Sequence, residues 1–285
     1  MATVVAMNKA GRGSDRGEKA AASLLQVDGV SKTYRLPTGD SLTALLETSL
    51  SVAEGEFVSI IGPSGCGKST LFKLIGGLEV PDGGRIAVAG HPVQGSHQDI
   101  GMVFQEESTF PWRTVLENVA FPLEIAGVAR REREERAKRV IRLVGLNGFE
   151  GRYPAELSGG MRQRTALART LAAEPKILLM DEPFAALDEQ TRLLLGDKIL
   201  EICRELKQTT LLITHSITEA VQLSDRVAIM SFRPGRILRT VDVKLARPRS
   251  SEIVSSPEFG GYVADIWQDL RAEASKGLDA AEAAR

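Results

Sequence analysis

Hydrophobic and polar positions change texture twice along this chain, and each texture predicts different elements. From Leu24 the run Leu24-Leu25-Gln26-Val27-Asp28-Gly29-Val30 reads as a strand. A strand pair is expected over Leu42 to Val52, and Ala53-Glu54-Gly55-Glu56 turns into the apolar run Phe57 to Ile61. Pro81-Asp82-Gly83-Gly84 is a turn signal, Arg85 to Gly90 alternates, and Ile100 to Phe104 is a further short apolar run. After Gln105 the period becomes helical. Helices are expected over Val115 to Ala126 and Ala129 to Val144, the second with an Ala137, Val140, Ile141, Val144 stripe. Its other face, Arg130 to Arg136, mixes charges and reads as a solvated surface with i,i+4 pairs. From Lys176 the strand texture returns. Lys176 to Met180 reads as a buried strand, Glu189 to Leu206 as a helix and Thr209 to Thr214 as a strand. Ser216-Ile217-Thr218-Glu219 is a capping box, and Arg226 to Met230 with Ile237-Leu238 forms a hairpin over the turn Arg233 to Arg236. Residues 1–22 have no period and are expected to be a disordered tail.

Between the first buried strand and the helical spacing of Leu71, Leu74, Ile75 and Leu78 stands Gly62-Pro63-Ser64-Gly65-Cys66-Gly67-Lys68-Ser69-Thr70. It fits G-x-x-x-x-G-K-[ST], a loop whose backbone N–H groups cradle phosphates. Lys68 adds a charge for the β- and γ-phosphates, and the Ser69 hydroxyl is a ligand for Mg²⁺. The following helix turns its positive end to the same anion. By itself the loop suits a kinase or a GTPase as well.

Asp181 and Glu182 end the strand at Lys176 to Met180. A carboxylate pair there suits a metal ion and an attacking water, with Asp181 toward Mg²⁺ and Glu182 toward the water. The alternative is that the pair caps the next helix. Leu157-Ser158-Gly159-Gly160-Met161-Arg162-Gln163-Arg164 opens a second helix with an anion-ready start.

These three stretches together resemble the ATP-binding-cassette ATPases, over about residues 24–240. Tyr34 resembles the aromatic residue that stacks on adenine, Gln105 the Q-loop residue, Ala186-Leu187-Asp188 the D-loop and His215 the switch histidine. The resemblance implies an α/β fold: a phosphate-loop NTPase (RecA-like) core, an antiparallel β subdomain and an inserted α-helical subdomain at about 106–165. The nucleotide-binding domain would span 23–240, and 241–285 would be an extension with a short amphipathic helix. The resemblance further implies ATP and Mg²⁺ as cofactors, with Ser69, Gln105 and Asp181 at the metal. Glu182, His215, Gln105 and Lys68 would be catalytic. Tyr34, Gly62 to Thr70, Ser158, Gly159, Gly160, Gln163 and Asp188 would contact the nucleotide. It also implies a head-to-tail homodimer, each ATP lying between the Gly62 to Thr70 loop of one copy and the Leu157 to Gln163 peptide of the other.

The net charge of −1 gives no bulk attraction to nucleic acid, and Cys66 and Cys203 suggest no structural disulfide. No apolar run approaches the ~20 residues that span a bilayer, and Val4 to Met7 is too short for a signal peptide. Within the family this points to an importer ATPase that docks peripherally on the cytoplasmic face of a bacterial-type inner membrane. Phe110-Pro111-Trp112-Arg113 after Gln105, and Phe184 to Arg192, resemble the nitrate/sulfonate/taurine importers. A permease's coupling helix is then expected near Gln105 to Asn118. Trp112 fits either that interface or the interior of the helical subdomain. A solute-binding protein would be an indirect partner. The alternative is a soluble cassette acting as a switch on nucleic acid or another complex. Cys66, in the phosphate loop, is expected to make ATPase activity sensitive to alkylation.

Overall fold

The structure is a computed structural model, and it describes residues 23–105, 108–185 and 187–283. The expected tail at 1–22 lies outside the described residues.

Six strands form the central sheet: β3 (Phe57–Ile61), β6 (Ile100–Val103), β7 (Ile177–Asp181), β8 (Thr209–Ile213), β9 (Arg226–Met230) and β10 (Ile237–Asp242). Their order is β10-β9-β3-β8-β7-β6, parallel except where β10 turns back on β9. Every residue of β3, β7 and β8 is buried. Parallel strands covered on both faces read as unbroken apolar runs for this reason. Alternate residues still go to opposite cores. Leu178 and Met180 join the core with the helices, whereas Ile177 and Leu179 join the core with the second sheet.

That second sheet is antiparallel, in the order β2-β1-β4-β5, from β1 (Ser23–Arg35), β2 (Ser41–Ala53), β4 (Gly83–Val88) and β5 (His91–Pro92). The strand pair expected over Leu42 to Val52 is instead one strand of 13 residues. Between the pairs Val30–Thr48 and Lys32–Leu45, β2 spends one residue more than β1, and Glu47 takes φ 41°. A bulge absorbs the extra residue, so no turn is needed.

The helices are α1 (Lys68–Ile75), α2 (Val115–Ile125), α3 (Arg130–Leu143), α4 (Gly159–Ala172), α5 (Glu189–Leu206), α6 (Ile217–Leu223) and α7 (Pro257–Ala283). Thr114 and Glu117 close a reciprocal cap on α2. On α3 the apolar stripe is buried, while Arg130–Glu134, Arg131–Glu135 and Arg136–Glu132 pair at i,i+4 on the outside. The last helix is not short: α7 has 27 residues. The spacing of Val263, Ile266, Trp267 and Leu270 predicts one shared apolar face on this helix, and the structure corrects it. Phe259 and Ile266 are buried, with Tyr262, Val263 and Leu270 packed beside them, but Trp267 is 56% exposed. Successive helical residues point about 100° apart, so Trp267 cannot share the face that Ile266 fixes.

Candidate functional site

The phosphate loop leaves the buried end of β3 and feeds α1. Gly67 takes φ 100°, and a Cβ there would stand 2.8 Å from the Ala44 carbonyl oxygen, so only glycine fits without displacing β2. Lys68 is 5% exposed. Its Nζ donates to the Gly62 carbonyl at 2.9 Å and the Pro63 carbonyl at 3.0 Å, which hold the ammonium inside the loop. Cys66 is fully buried, and that burial pushes its thiol pKa up against the opposing charge of Lys68. The expectation of an alkylation-sensitive thiol therefore meets a buried, protonated sulfur.

Three sheet strands deliver the rest to the same edge. At the end of β7, Asp181 is buried. Burial raises its pKa first, and Glu182 adds to the rise, while the Ser69 hydroxyl and the Lys68 charge oppose it. Its Oδ1 is buried without a hydrogen-bond partner. Glu182 follows at φ 46°, a left-handed conformation that costs a non-glycine residue on the order of 1–3 kcal/mol. Its N–H donates to the Ile213 carbonyl of β8 at 2.9 Å, which holds the strained residue at the sheet edge. The Glu182 carboxylate then gathers two further residues. Gln105 Nε2 donates to its Oε2 at 3.1 Å, and His215 Nε2 lies 2.5 Å from its Oε1. Those partners come from the ends of β6 and β8, so three separate stretches meet at one carboxylate.

The turn carrying His215 has its own support. Thr214 Oγ1 accepts from the Ser216 N–H at 3.0 Å and donates to Glu219 at 2.5 Å. Ser216 caps α6, as its Oγ accepts from the Glu219 N–H, but the return half of the capping box is absent: the Ser216 N–H donates to the Thr214 hydroxyl instead of to Glu219. Burial pushes Glu219 up to about 7.

A cleft of about 310 Å³ opens over this edge, lined by Tyr34, Leu42, Ala44, Ser64, Gly65, Gly67, Lys68, Ser69, Thr70, Glu182, His215 and Arg233. Tyr34 borders it with its hydroxyl donated to Glu79 at 2.5 Å. Two polar residues around the cleft, one of them behind its lining, carry no site signal in the sequence. Glu79, which orients Tyr34, carries no local signal. Arg233 lay in a stretch read only as a turn. A larger hollow of about 890 Å³ lies at the opposite strand ends, near Gly55, Gln208 and Asp225. Its two best-placed cations are spent: Arg247 pairs with Asp225, and Arg249 donates to the carbonyls of Val243, Leu245 and Ser224. Ligands of open α/β sheets bind beyond the carboxyl ends of the strands, which is the edge with the cleft.

Of the expected residues that do not line the cleft, Gly62, Pro63, Cys66, Gln105 and Asp181 belong to the loop and strand ends around it, whereas Ser158, Gly159, Gly160, Gln163 and Asp188 belong to other stretches. Ser158 caps α4, accepting from the Met161 N–H at 3.3 Å, and Gly159 is exposed beside it. Gly160 follows, half-buried. Gln163 Nε2 is buried without a partner. Asp188 caps α5, accepting from the Thr191 N–H at 2.9 Å. Ala186 lies outside the described residues.

Between Gln105 and Asn118 the chain carries an aromatic group. Trp112 is 71% exposed and rests tilted against Phe110 at 5.6 Å, and Phe110 meets the edge of Phe121 at 4.7 Å. Buried Asn118 fixes the segment, accepting from the Phe110 N–H and donating to the carbonyls of Phe110, Arg113 and Thr114. Of the two readings of Trp112, packing inside the helical part is excluded by this exposure.

Comparison with known proteins agrees with this geometry. The family model described as ABC transporter matches residues 45–185. An uncharacterized ABC transporter ATP-binding protein of Methanocaldococcus jannaschii is 48% identical over 254 residues, 89% of this chain and 94% of that protein. The nitrate import ATP-binding protein of Synechocystis is 44% identical over 246 residues, 84% of this chain and 92% of its own length. A dimeric solved structure, described as a post-hydrolysis state of an ATP-binding cassette bound to ADP and Pi, superimposes with a TM-score of 0.68 at 33% identity. It is covered completely, by 78% of this chain. The chain belongs to the ATP-binding proteins of ABC transporters and is an ATPase coupled to transport.

Proposed function

We propose that this ATPase powers the uptake of a small anionic solute, of the nitrate, sulfonate or taurine kind, through a separate membrane permease. The solute class is supported by the likeness to the nitrate import ATP-binding protein. The observation that carries the ATP-driven half of the reading is the Glu182 carboxylate, which gathers Gln105 and His215 beside the phosphate loop while Ser158, Gly159 and Gly160 stay outside the cleft. Half of a nucleotide site is finished within the chain, and its other half faces outward. Two copies paired head to tail would bring the Ser158 start of α4 over the nucleotide held by Lys68. The γ-phosphate then forms part of the interface, and hydrolysis loosens the pair. A ligand shifts such an equilibrium only through contacts that differ between the two states.

In this reading Glu182 polarises the attacking water, His215 holds Glu182 and senses the γ-phosphate, and Lys68 turns from the loop carbonyls to the β- and γ-phosphates. Tyr34 stacks on the base, and Asp188 links the two sites. The residues fit Mg²⁺: Asp181 has a buried oxygen without a partner, with the Ser69 hydroxyl beside it. Asp181, Ser69 and Gln105 would hold the ion, the nucleotide supplying further oxygens, and the bound ion would offset charge on the phosphates. The exposed aromatic segment at Trp112 suits a permease's coupling helix, since buried aromatic anchors dominate interfaces. The protein would then be peripheral on the cytoplasmic face of a bacterial-type inner membrane; no described helix is long and apolar enough to cross it. A solute-binding protein would act indirectly, without contact to this chain.

Native co-purification tests the reading. A polytopic membrane protein retained with this chain, and MgATP-dependent nitrate uptake by that complex in vesicles, is the expected result. Retention of ribosomes or DNA without such a protein would replace importer with a soluble switch.

A further inference from the structure

The turn 232–236 joins β9 to β10 and lies over the phosphate loop. Arg233 Nε donates to the Gly65 carbonyl at 2.7 Å. Gly65 takes φ 71°, and a Cβ there would stand 2.5 Å from Arg233 Nη2, so the guanidinium lies against the apex of the loop. The same side chain lines the cleft with Ser64, Lys68, Glu182 and His215. Arg226 pairs with Glu56 and Arg239 with Asp265 and Asp269, but among the described residues no carboxylate pairs with Arg233.

Arg233 is held there from two sides. The Phe232 N–H donates at 2.8 Å to Glu273 of α7, a carboxylate only 5% exposed. On the other side the Gly235 N–H donates to the Ala44 carbonyl of β2 at 2.9 Å, the carbonyl that also packs against Gly67. Ser231 closes the turn, donating to the Pro234 carbonyl and accepting from the Arg236 N–H. A guanidinium spends one N–H on the loop and keeps a planar fork free beside an anion cradle. That fork matches phosphate oxygens better than an ammonium does.

We propose that Arg233 is a further nucleotide-binding residue of this ATPase, contacting the phosphate chain of the bound nucleotide, and that Glu273 of the C-terminal helix is the positioning residue that sets it. The phosphate loop is thereby braced by the last helix of the chain, through a single turn.

Equilibrium titration of the full chain with MgATP and MgADP tests this. Arg233→Ala should weaken both nucleotides by about tenfold, the loss of one charge-assisted contact. Arg233→Lys should recover part of that affinity, and the thermal midpoint of Arg233→Ala without nucleotide should fall by less than would account for the lost affinity. Affinities equal to the parent in Arg233→Ala overturn the proposal, as does a loss of midpoint that accounts for the weakened binding. Glu273→Ala should weaken binding less, and its effect should vanish in the Arg233→Ala background. Losses that simply add would overturn the positioning role, because independent sites add and coupled ones do not. If removal of the buried Glu273 prevents folding, Gly277→Ala replaces it. A Cβ at Gly277 meets the Phe232 ring at 2.9 Å and pushes on the same turn without deleting a hydrogen bond. Unchanged nucleotide affinity in a folded Gly277→Ala would count against the brace.

Discussion

The chain has two helix starts suited to an anion, and they are built differently. At α1, Lys68 and Cys66 are buried, Gly67 packs on the Ala44 carbonyl, and Arg233 holds the Gly65 carbonyl. At α4, Ser158 and Gly159 are exposed, the Ser158 hydroxyl accepts from the Met161 N–H, the Arg162 guanidinium donates to the Leu157 carbonyl, and Leu157 is buried beneath the turn. The first start is over-determined by β2, by β9 and by its own loop. The second is shaped but unpacked. Preorganised donors lower the cost of stabilising charge, so the packed start suits steady binding. An open start with an intact cap suits a surface completed by something outside the chain.

The largest expected effect strikes the packed side. Glu182→Gln keeps a carbonyl oxygen toward Gln105 but removes the charge. Hydrolysis should fall by about 10²–10⁴-fold, the usual worth of general-base help, while MgATP binding remains and a dimer accumulates on a sizing column. Turnover equal to the parent would remove Glu182 from the mechanism and leave its convergence with Gln105 and His215 as mere packing.

The next effect strikes the open side and breaks the comparison most directly. An alanine Cβ at Gly159 would meet nothing nearer than Arg162 Nη2 at 3.8 Å, and at Gly160 nothing nearer than Leu187 Cδ2 at 3.7 Å. Both are ordinary contacts, and alanine gains up to about 1 kcal/mol over glycine within a helix. Gly159→Ala and Gly160→Ala should therefore leave the isolated chain as stable as before or more so. Turnover should nevertheless fall, by up to about 10²-fold if the methyl group displaces a reacting partner by about 1 Å. Full activity in both variants would mean that nothing closes on the start of α4.

A smaller effect belongs to the turn behind His215. Burial raises Glu219 from the ordinary 4.5 to about 7, Glu182 adds to the rise, and Arg192 and the Thr214 hydroxyl oppose it. The folded chain thus takes up a proton that the unfolded chain releases. This contribution to stability is complete below about pH 4.5 and is lost as the pH rises through about 7. At about 1.4 kcal/mol per pKa unit it amounts to on the order of 3 kcal/mol. Glu219→Gln, which stays neutral and still accepts from Thr214, should flatten the fall in melting temperature across that window. A parallel fall in both proteins would assign the pH dependence to other groups.

The packed half of the site was legible in sequence and the open half only as a set of residue types, and the reason is physical. β3, β7 and β8 are buried on both faces, so each is an apolar run with the chemical residues placed immediately after it. The bulge at Glu47 was not legible, because no glycine or proline marks it. The length of α7 was missed because its apolar stripe stops near Leu270 while the helix continues through alanine and charged residues. Trp112 stayed undecided, since exposure depends on Asn118 fixing a loop that has no period of its own. Arg233 needs the sheet order. Only because β9 lies beside β3 does the turn after β9 fall over the loop after β3, and no local pattern encodes that neighbourhood.

The smallest expected effect is nearly none, and it tests how closed the packed side is. Burial holds the Cys66 thiol above its ordinary range, and although Cys203 is only half-buried as a residue, its enclosed sulfur is pushed up to about 11. The thiolate is the reacting form. Iodoacetamide at neutral pH should therefore label either cysteine of the folded chain far more slowly than a free thiol, with ATPase activity surviving the exposure. Fast modification of Cys66 accompanied by loss of activity would show that the loop opens on its own. Protection of Cys66 by MgATP, but not of Cys203, would then locate that opening in the phosphate loop. In that case the two helix starts would differ in what fills them rather than in how firmly the fold holds them.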